Sequence, residues 1–435
     1  MKTVIKFLMC AGIMMSMMLS ASAEDLTIYS DYYYMIDMDN GQVILDKGST
    51  DIIYPASMTK IMTLIVALEN IDDLQERVVL DTDVFSGLYE ANASMAGFYL
   101  NETVTLEDCL YGLFLPSGAE TTRAAAFSVA GSEEAFVELM NKKAEELGMK
   151  DTHYINTTGL HDSDHVTTLR DLSILLDYCL QNETFNEIFS TRKYVAKSGS
   201  MHKGGLTWES TTFKNLDRSG WRELAETDIV GGKTGYTIPA GLCLASVGEH
   251  EGRRYMLITA HAPSGSTPYH VMDAAEIYSE VFYHYNKEIL INKEELLGTA
   301  EVRFNLLDRE IEFYAENDIE LTIPDTIDTQ SLEIHLAVME SYDAPIKKGD
   351  MLGTATLVYE GEAIYSFELL AQEDIERNPL LYGAYCLKEW MLDNLILTGF
   401  IVFVIGFGVW RLFIHRYEIT RSFNSKRRRT RHYRM

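Results

Sequence analysis

Residues 394–410 contain no charged side chain, and this run constrains the chain more than any other feature. Arg411 can snorkel, so an apolar helix extends to Ile414. At about 1.5 Å per residue, its roughly 20 residues match a hydrocarbon core of ~30 Å. Trp390 and Trp410 stand where interfacial aromatics belong, and the basic cluster Lys426, Arg427, Arg428, Arg429 follows. By the positive-inside rule the tail is expected in the cytoplasm and the preceding chain outside it. Charge is divided the same way. Of a net −28, residues 411–435 carry +8 and residues 1–23 carry +2, which leaves −38 on residues 24–410. An acidic body of this kind argues against nucleic acid as a partner.

Residues 1–23 read as a secretory signal. Lys2 and Lys6 give the positive start, an apolar methionine-rich run follows, and Ala21-Ser22-Ala23 offers a small-x-small cleavage site. Cys10 would leave with it. The spacing of Cys109, Cys179, Cys243 and Cys386 fits no zinc pattern and leaves both paired and free thiols open.

Between the two ends the chain changes character once. Residues 33–37 and 42–45 flank Asp39-Asn40-Gly41, a hairpin signal. Residues 56–68, 105–115, 133–147 and 274–285 carry helical patterns, and 242–247 and 255–260 are apolar strands around a turn. From about residue 289 the pattern turns to short strands: 301–305, 310–314, 319–323, 332–338, 351–358 and 363–369. Turn residues separate them, which predicts a small β-sandwich.

Three residue groups point to chemistry. Ser57-Met58-Thr59-Lys60 places a hydroxyl and an amine at i and i+3 of an apolar helix, so both share one face. Lys60 is the only charged residue between Asp51 and Glu69, and a lysine on a buried helix becomes a usable base. The same spacing at Ser200 and Lys203 lies in a polar, glycine-rich stretch and is given no role. Ser117-Gly118-Ala119-Glu120 follows Pro116. Its bland reading is a capping box, with Ser117 as cap and Glu120 reaching back; its functional reading is a proton relay. Gly232-Lys233-Thr234-Gly235 enters a strand. Glycines there allow close approach of another backbone, Lys233 offers a cation and Thr234 a hydroxyl, and a peptide could lie alongside. His161 and His165 are four residues apart, but no third ligand stands at metal spacing, so no metal is expected.

Taken together, the three groups resemble the serine D-alanyl-D-alanine carboxypeptidases, the low-molecular-mass penicillin-binding proteins. The run 54–63 (YPASMTKIMT) looks like that family's nucleophile segment, and 231–237 (GGKTGYT) like its third motif. Residues 159–162 with Thr167 and Thr168 resemble the loop between motifs two and three, and 344–350 (APIKKGD) resembles its β-rich domain. The resemblance covers about residues 28–372.

It implies an α+β penicillin-recognising serine-transferase fold: an antiparallel sheet with helices on both faces and a helical subdomain. The expected organisation is a signal at 1–23, a catalytic domain at 24–288, a β-sandwich at 289–372, a connector at 373–393, a transmembrane helix at 394–414 and a basic cytoplasmic tail at 415–435. It also implies roles. Ser57 attacks the penultimate D-Ala carbonyl of a peptidoglycan stem peptide, Lys60 takes its proton, and Ser117 passes a proton to the leaving amine. Lys233, Thr234, Gly235 and Tyr236 bind substrate, with the N–H groups of Ser57 and Tyr236 as the oxyanion hole. No cofactor is needed, β-lactams would act as inhibitors, and the membrane is met through the C-terminal helix. Two residues depart from the pattern: Ala119 stands where the family usually has Asn, and His270 falls near a usual Arg. A wall-binding scaffold protein is the rival reading that these departures favour. A β-lactamase is a further rival, but residues 161–168 offer no glutamate to deacylate the enzyme.

Overall fold

The computed structural model describes residues 26–220, 228–305 and 309–431. The expected signal at 1–23, with Cys10, lies outside them. The chain divides into two compact units. One runs through Ile291 and takes in Asp318–Glu333 and Leu357–Ser366; the other holds Asn292–Asn317, Ile334–Thr356 and the chain from Phe367 onward.

The first unit is built on a five-stranded antiparallel sheet. In spatial order its strands are Val43–Lys47, Tyr32–Asp37, Arg253–Ala262, Gly241–His250 and Ile229–Thr237. Successive residues on a strand point to opposite faces, and here both faces are apolar. Tyr34, Ala245, Met256 and Ile258 join a large core with the helices Thr59–Asn70, Leu106–Phe114 and Ala119–Ala130. Their neighbours Met35, Leu244 and Leu257 pack in a second core against Val271, Ala274, Ile277 and Tyr278 of the helix Tyr269–His284. That helix starts five residues before its expected start, at the turn made by Pro268. The hairpin at Asp39-Asn40-Gly41 forms as expected, with Gly41 at φ +73° and its N–H on Asp37 O at 2.9 Å.

The helix Thr59–Asn70 is surrounded. Every residue from Thr59 through Ala67 is buried, Lys60 among them. Such a helix is held by packing on all sides, so its first turn is placed by the core rather than by solvent.

In the second unit Gly298–Arg303 pairs antiparallel with Glu310–Phe313 and parallel with Ser341–Asp343. Ala300, Val302, Phe313, Tyr342, Leu352 and Leu369 form its core. Glu333–Val338, Met351–Tyr359 and Glu362–Leu370 are further strands of this stretch of chain. The strand Ile319–Pro324 pairs instead with Tyr285–Ile291 and groups with the first unit. The chain then forms the helices Pro379–Asp393 and Leu395–Arg431. Within the latter, Leu395–Tyr417 is 23 residues long and apolar enough to cross a membrane, with none of its most apolar stretch buried in protein.

Candidate active site

Ser57 lies in the short 3₁₀ turn Ala56–Met58 that leads into the buried helix. Ala56 holds a left-handed φ of +46°, a strained conformation for a residue with a Cβ. Lys60 follows one turn later. Its Nζ donates to Ser57 Oγ at 3.2 Å and to the Thr158 carbonyl at 2.6 Å. Burial pushes the Lys60 amine down to about 7, against the opposing pull of the Glu120 and Glu133 carboxylates. A neutral amine beside the hydroxyl can accept its proton.

The Thr158 carbonyl is held there by its own loop. Asn156 Oδ1 accepts from the N–H of Thr158 and of Gly159. Glu133 accepts from both the N–H and the hydroxyl of Thr157, and Arg123 pairs with Glu133 at 2.9 Å. Gly159 sits at φ +80°, and a Cβ there would lie 1.9 Å from Ala56 O. The loop therefore presses on the backbone just before Ser57, an approach open only to glycine.

Ser117 comes from the end of the neighbouring helix. Its hydroxyl accepts from Lys233 Nζ at 3.1 Å, and Lys233 also donates to Thr234 O at 2.9 Å. Ser117 takes φ +64°, a second left-handed non-glycine residue at the site. The capping-box reading of this segment does not hold. Gly118 caps the helix Ala119–Ala130 without a side-chain bond, and the buried Glu120 accepts from Gly97 N–H at 2.8 Å instead. Helix geometry at Ser117 gave way to a tertiary contact with Lys233. Lys233 is fully buried, and burial, followed by the nearby Lys60 charge, holds its amine well below the ordinary lysine range.

The strand carrying Lys233 runs beside the nucleophile turn. A Cβ on Gly235 would lie 3.0 Å from Pro55 O and 3.2 Å from Ser57 N, so the bare backbone makes the close approach. Thr234 Oγ1 meets Thr211 Oγ1 at 2.7 Å. A pocket of about 570 Å³ opens here, and Ser57, Ser117, Thr234, Gly235, Tyr236 and His270 are among the residues that line it. Tyr236 is half exposed at its rim. Of the seven residues given site roles from the sequence, Ser57, Ser117, Thr234, Gly235 and Tyr236 line this pocket, and Lys60 and Lys233 stand behind it on Ser57 and Ser117. The second Ser-x-x-Lys does not pair: Ser200 Oγ accepts from Thr103 N–H, and Lys203 is exposed.

Sequence reasoning missed Thr158, Glu133 and Thr211, and the bond of His165 to Thr59. His161 and His165 separate. His161 lines the pocket edge-on to Tyr54, while His165 is buried against Thr59. Ala119 is buried and its N–H bonds Ser94 O, so no side-chain amide stands at this point of the site. His270 is 2 % exposed, its Nδ1 has no partner, and burial pushes its ring down to about 4.

A buried lysine bonded to a serine beside the strained Ala56, a second serine–lysine pair and a flanking strand make an arrangement suited to serine acyl transfer. Comparison with known proteins agrees. The family model for D-alanyl-D-alanine carboxypeptidases (peptidase S11) matches residues 18–264, and that for the C-terminal domain of penicillin-binding protein 5 matches residues 285–377. The chain is 28 % identical over 354 residues to the D-alanyl-D-alanine carboxypeptidase DacF of Bacillus subtilis, covering 79 % of this chain and 85 % of the relative. It is 24 % identical over 353 residues to DacC of Escherichia coli, with 79 % and 84 % covered. Among solved structures, penicillin-binding protein 5 of Haemophilus influenzae aligns with a TM-score of 0.62 at 21 % identity, over 81 % of this chain and 99 % of that one. A mutant of the Streptomyces K15 DD-transpeptidase aligns at 0.52 and 26 %, over 58 % and 98 %. The chain belongs to the family of serine D-alanyl-D-alanine carboxypeptidases.

Proposed function

We propose that this chain removes the terminal D-Ala from peptidoglycan stem peptides outside the cell, through an acyl-enzyme on Ser57. Lys60 takes the Ser57 proton as Oγ attacks the carbonyl of the penultimate D-Ala. The N–H groups of Ser57 and Tyr236 receive the developing oxyanion, a role that the closeness of the Gly235 strand to Ser57 N supports. Ser117, hydrogen-bonded to Lys233, carries a proton to the departing D-Ala amine. Lys233 and Thr234 hold the region of the terminal carboxylate, whose charge would restore the ammonium form that burial disfavours. Water then cleaves the Ser57 ester and returns the enzyme. A β-lactam would acylate Ser57 by ring opening, with no leaving group to depart.

The observation that carries this reading is the 3.2 Å contact between Ser57 Oγ and an amine that burial brings to about 7. The test is D-Ala release from a peptide ending in D-Ala-D-Ala. The full chain should release D-Ala and Ser57→Ala should not; equal release by both would refute the assignment.

The same reading gives the boundaries 24–288 for the catalytic domain and 289–372 for the β domain, which the two family matches support. It places the catalytic domain on the outer side of a single C-terminal span and the basic tail in the cytoplasm, on the charge asymmetry of the chain.

A further inference from the structure

His165 is buried, at 2 % exposure, between two hydrogen bonds. The backbone N–H of Ile155 points at its Nδ1 at 3.1 Å, and its Nε2 lies 2.7 Å from Thr59 Oγ1. A backbone N–H can only donate, so Nδ1 must be the bare nitrogen. The neutral ring then carries its proton on Nε2, and Thr59 Oγ1 accepts it. The imidazolium would turn an N–H against that of Ile155. Burial points the same way, and the ring is pushed down to about 4. Both partners of the bond are thus fixed at neutral pH.

Thr59 occupies the joint of the site. It is buried, it stands between Ser57 and Lys60, and its N–H bonds to Ala56 O and Ser57 O as the 3₁₀ turn becomes α-helix. Its hydroxyl ties that joint to the loop that also supplies Thr158 O to Lys60 and Thr157 O to Thr63. The bridge of Ile53 with Thr167 holds the same loop to the segment before the nucleophile turn, and that of His153 with Val166 closes the loop on itself.

We infer that His165 is a positioning residue of the acylation step: by donating from Nε2 to Thr59 Oγ1, it fixes the 3₁₀ turn that presents Ser57 to Lys60. It touches neither substrate nor the reacting atoms. Its effect falls on the rate at which bound substrate acylates Ser57, not on how tightly substrate is held, because a small misplacement of a nucleophile is costly in rate. The inference rests on the reading of Ser57 as the acylated serine.

The test is acylation of the full chain in detergent by a fluorescent penicillin, resolved into a maximal rate and a half-saturating concentration. His165→Phe should lower the maximal rate roughly tenfold and leave the half-saturating concentration unchanged. His165→Gln, which puts an N–H near the place of Nε2, should recover most of the loss. Thr59→Val, close in shape, should match His165→Phe, and the double variant should be no slower than either single one. If His165→Phe does not fold, Thr59→Val and His165→Gln carry the comparison. Multiplicative losses in the double variant, or a Thr59→Val chain that acylates at the wild-type rate, would overturn the inference. A wild-type chain that forms no adduct would overturn it together with the reading of Ser57, whereas a reactive wild type with silent variants would remove His165 alone.

Discussion

Lys233 Nζ and Ser117 Oγ meet at 3.1 Å across 116 residues of sequence, and both side chains are buried. The second serine of the site therefore has a lysine of its own, separate from the pair of Ser57 and Lys60. If Ser117 relays the proton to the leaving amine, Ser117→Ala should lower D-Ala release on the order of 10²-fold, the scale of one general acid–base group. Ser57 should still be present and reactive toward a strained β-lactam. Release at the wild-type rate would remove Ser117 from the relay.

The pH profile of acylation follows from Lys60. Its amine must be neutral to accept the Ser57 proton, and it titrates near 7, so the rate should fall as pH drops through about 7 and level off above it. Glu120 is the larger of the two carboxylates that hold the value up. Glu120→Gln keeps an acceptor for Gly97 N–H and removes that charge, so the acidic limb should move to lower pH. Rates measured from pH 5 to 9 check this, and a limb moved upward would contradict it.

Two histidines link stability to pH. His165 and His270 are both buried and pushed down to about 4, against an ordinary value near 6.5. Between those values the unfolded chain binds a proton that the folded chain excludes. Stability is thus intact above about 6.5 and falls as pH drops toward 4, by about 3 kcal/mol at most for each group. Urea unfolding at pH 7 and pH 5 measures the loss. Replacing His270 by Gln should flatten it, and an unchanged slope would show that His270 is not the source.

Gly159→Ala tests the contact behind the nucleophile. The substitution puts a Cβ 1.9 Å from Ala56 O at a φ of +80°. It should cost about 2–4 kcal/mol of stability and slow acylation in whatever protein folds. A variant as stable and as reactive as wild type would mean that the loop does not bear on Ser57.

Membrane orientation can be read from one thiol. Among the described cysteines Cys109, Cys179 and Cys243 are buried, while Cys386 is exposed shortly before the apolar helix. A membrane-impermeant maleimide should label the protein on intact cells, and Cys386→Ser should abolish the label. Labelling only after permeabilisation would reverse the proposed topology.

What could be read from sequence followed distance along the chain. Ser57 and Lys60 share one helical turn, so spacing alone brings them together, and the apolar run around them foretold the burial that lowers the amine. The hairpin at Gly41 and the strand pair around 242–260 were equally local. Ser117 was ambiguous because Ser-x-x-Glu is a good cap in its own right, and only the arrival of Lys233 decides between the readings. Glu133 and His165 left no sequence signal of their role. Their partners, Thr157 and Thr59, are reached only once residues 153–168 fold over the nucleophile turn. The strand Ile319–Pro324 was placed with the β-rich block by its neighbours in sequence, yet its hydrogen bonds run to Tyr285–Ile291. Strand pairing depends on partners that a local pattern does not name.

The most direct test of the account is the intact mass of the full chain after exposure to benzylpenicillin, beside Ser57→Ala treated alike. The account predicts one added antibiotic mass on the wild-type chain and none on Ser57→Ala. An unmodified wild-type chain that is folded, or an adduct that persists in Ser57→Ala, would contradict it.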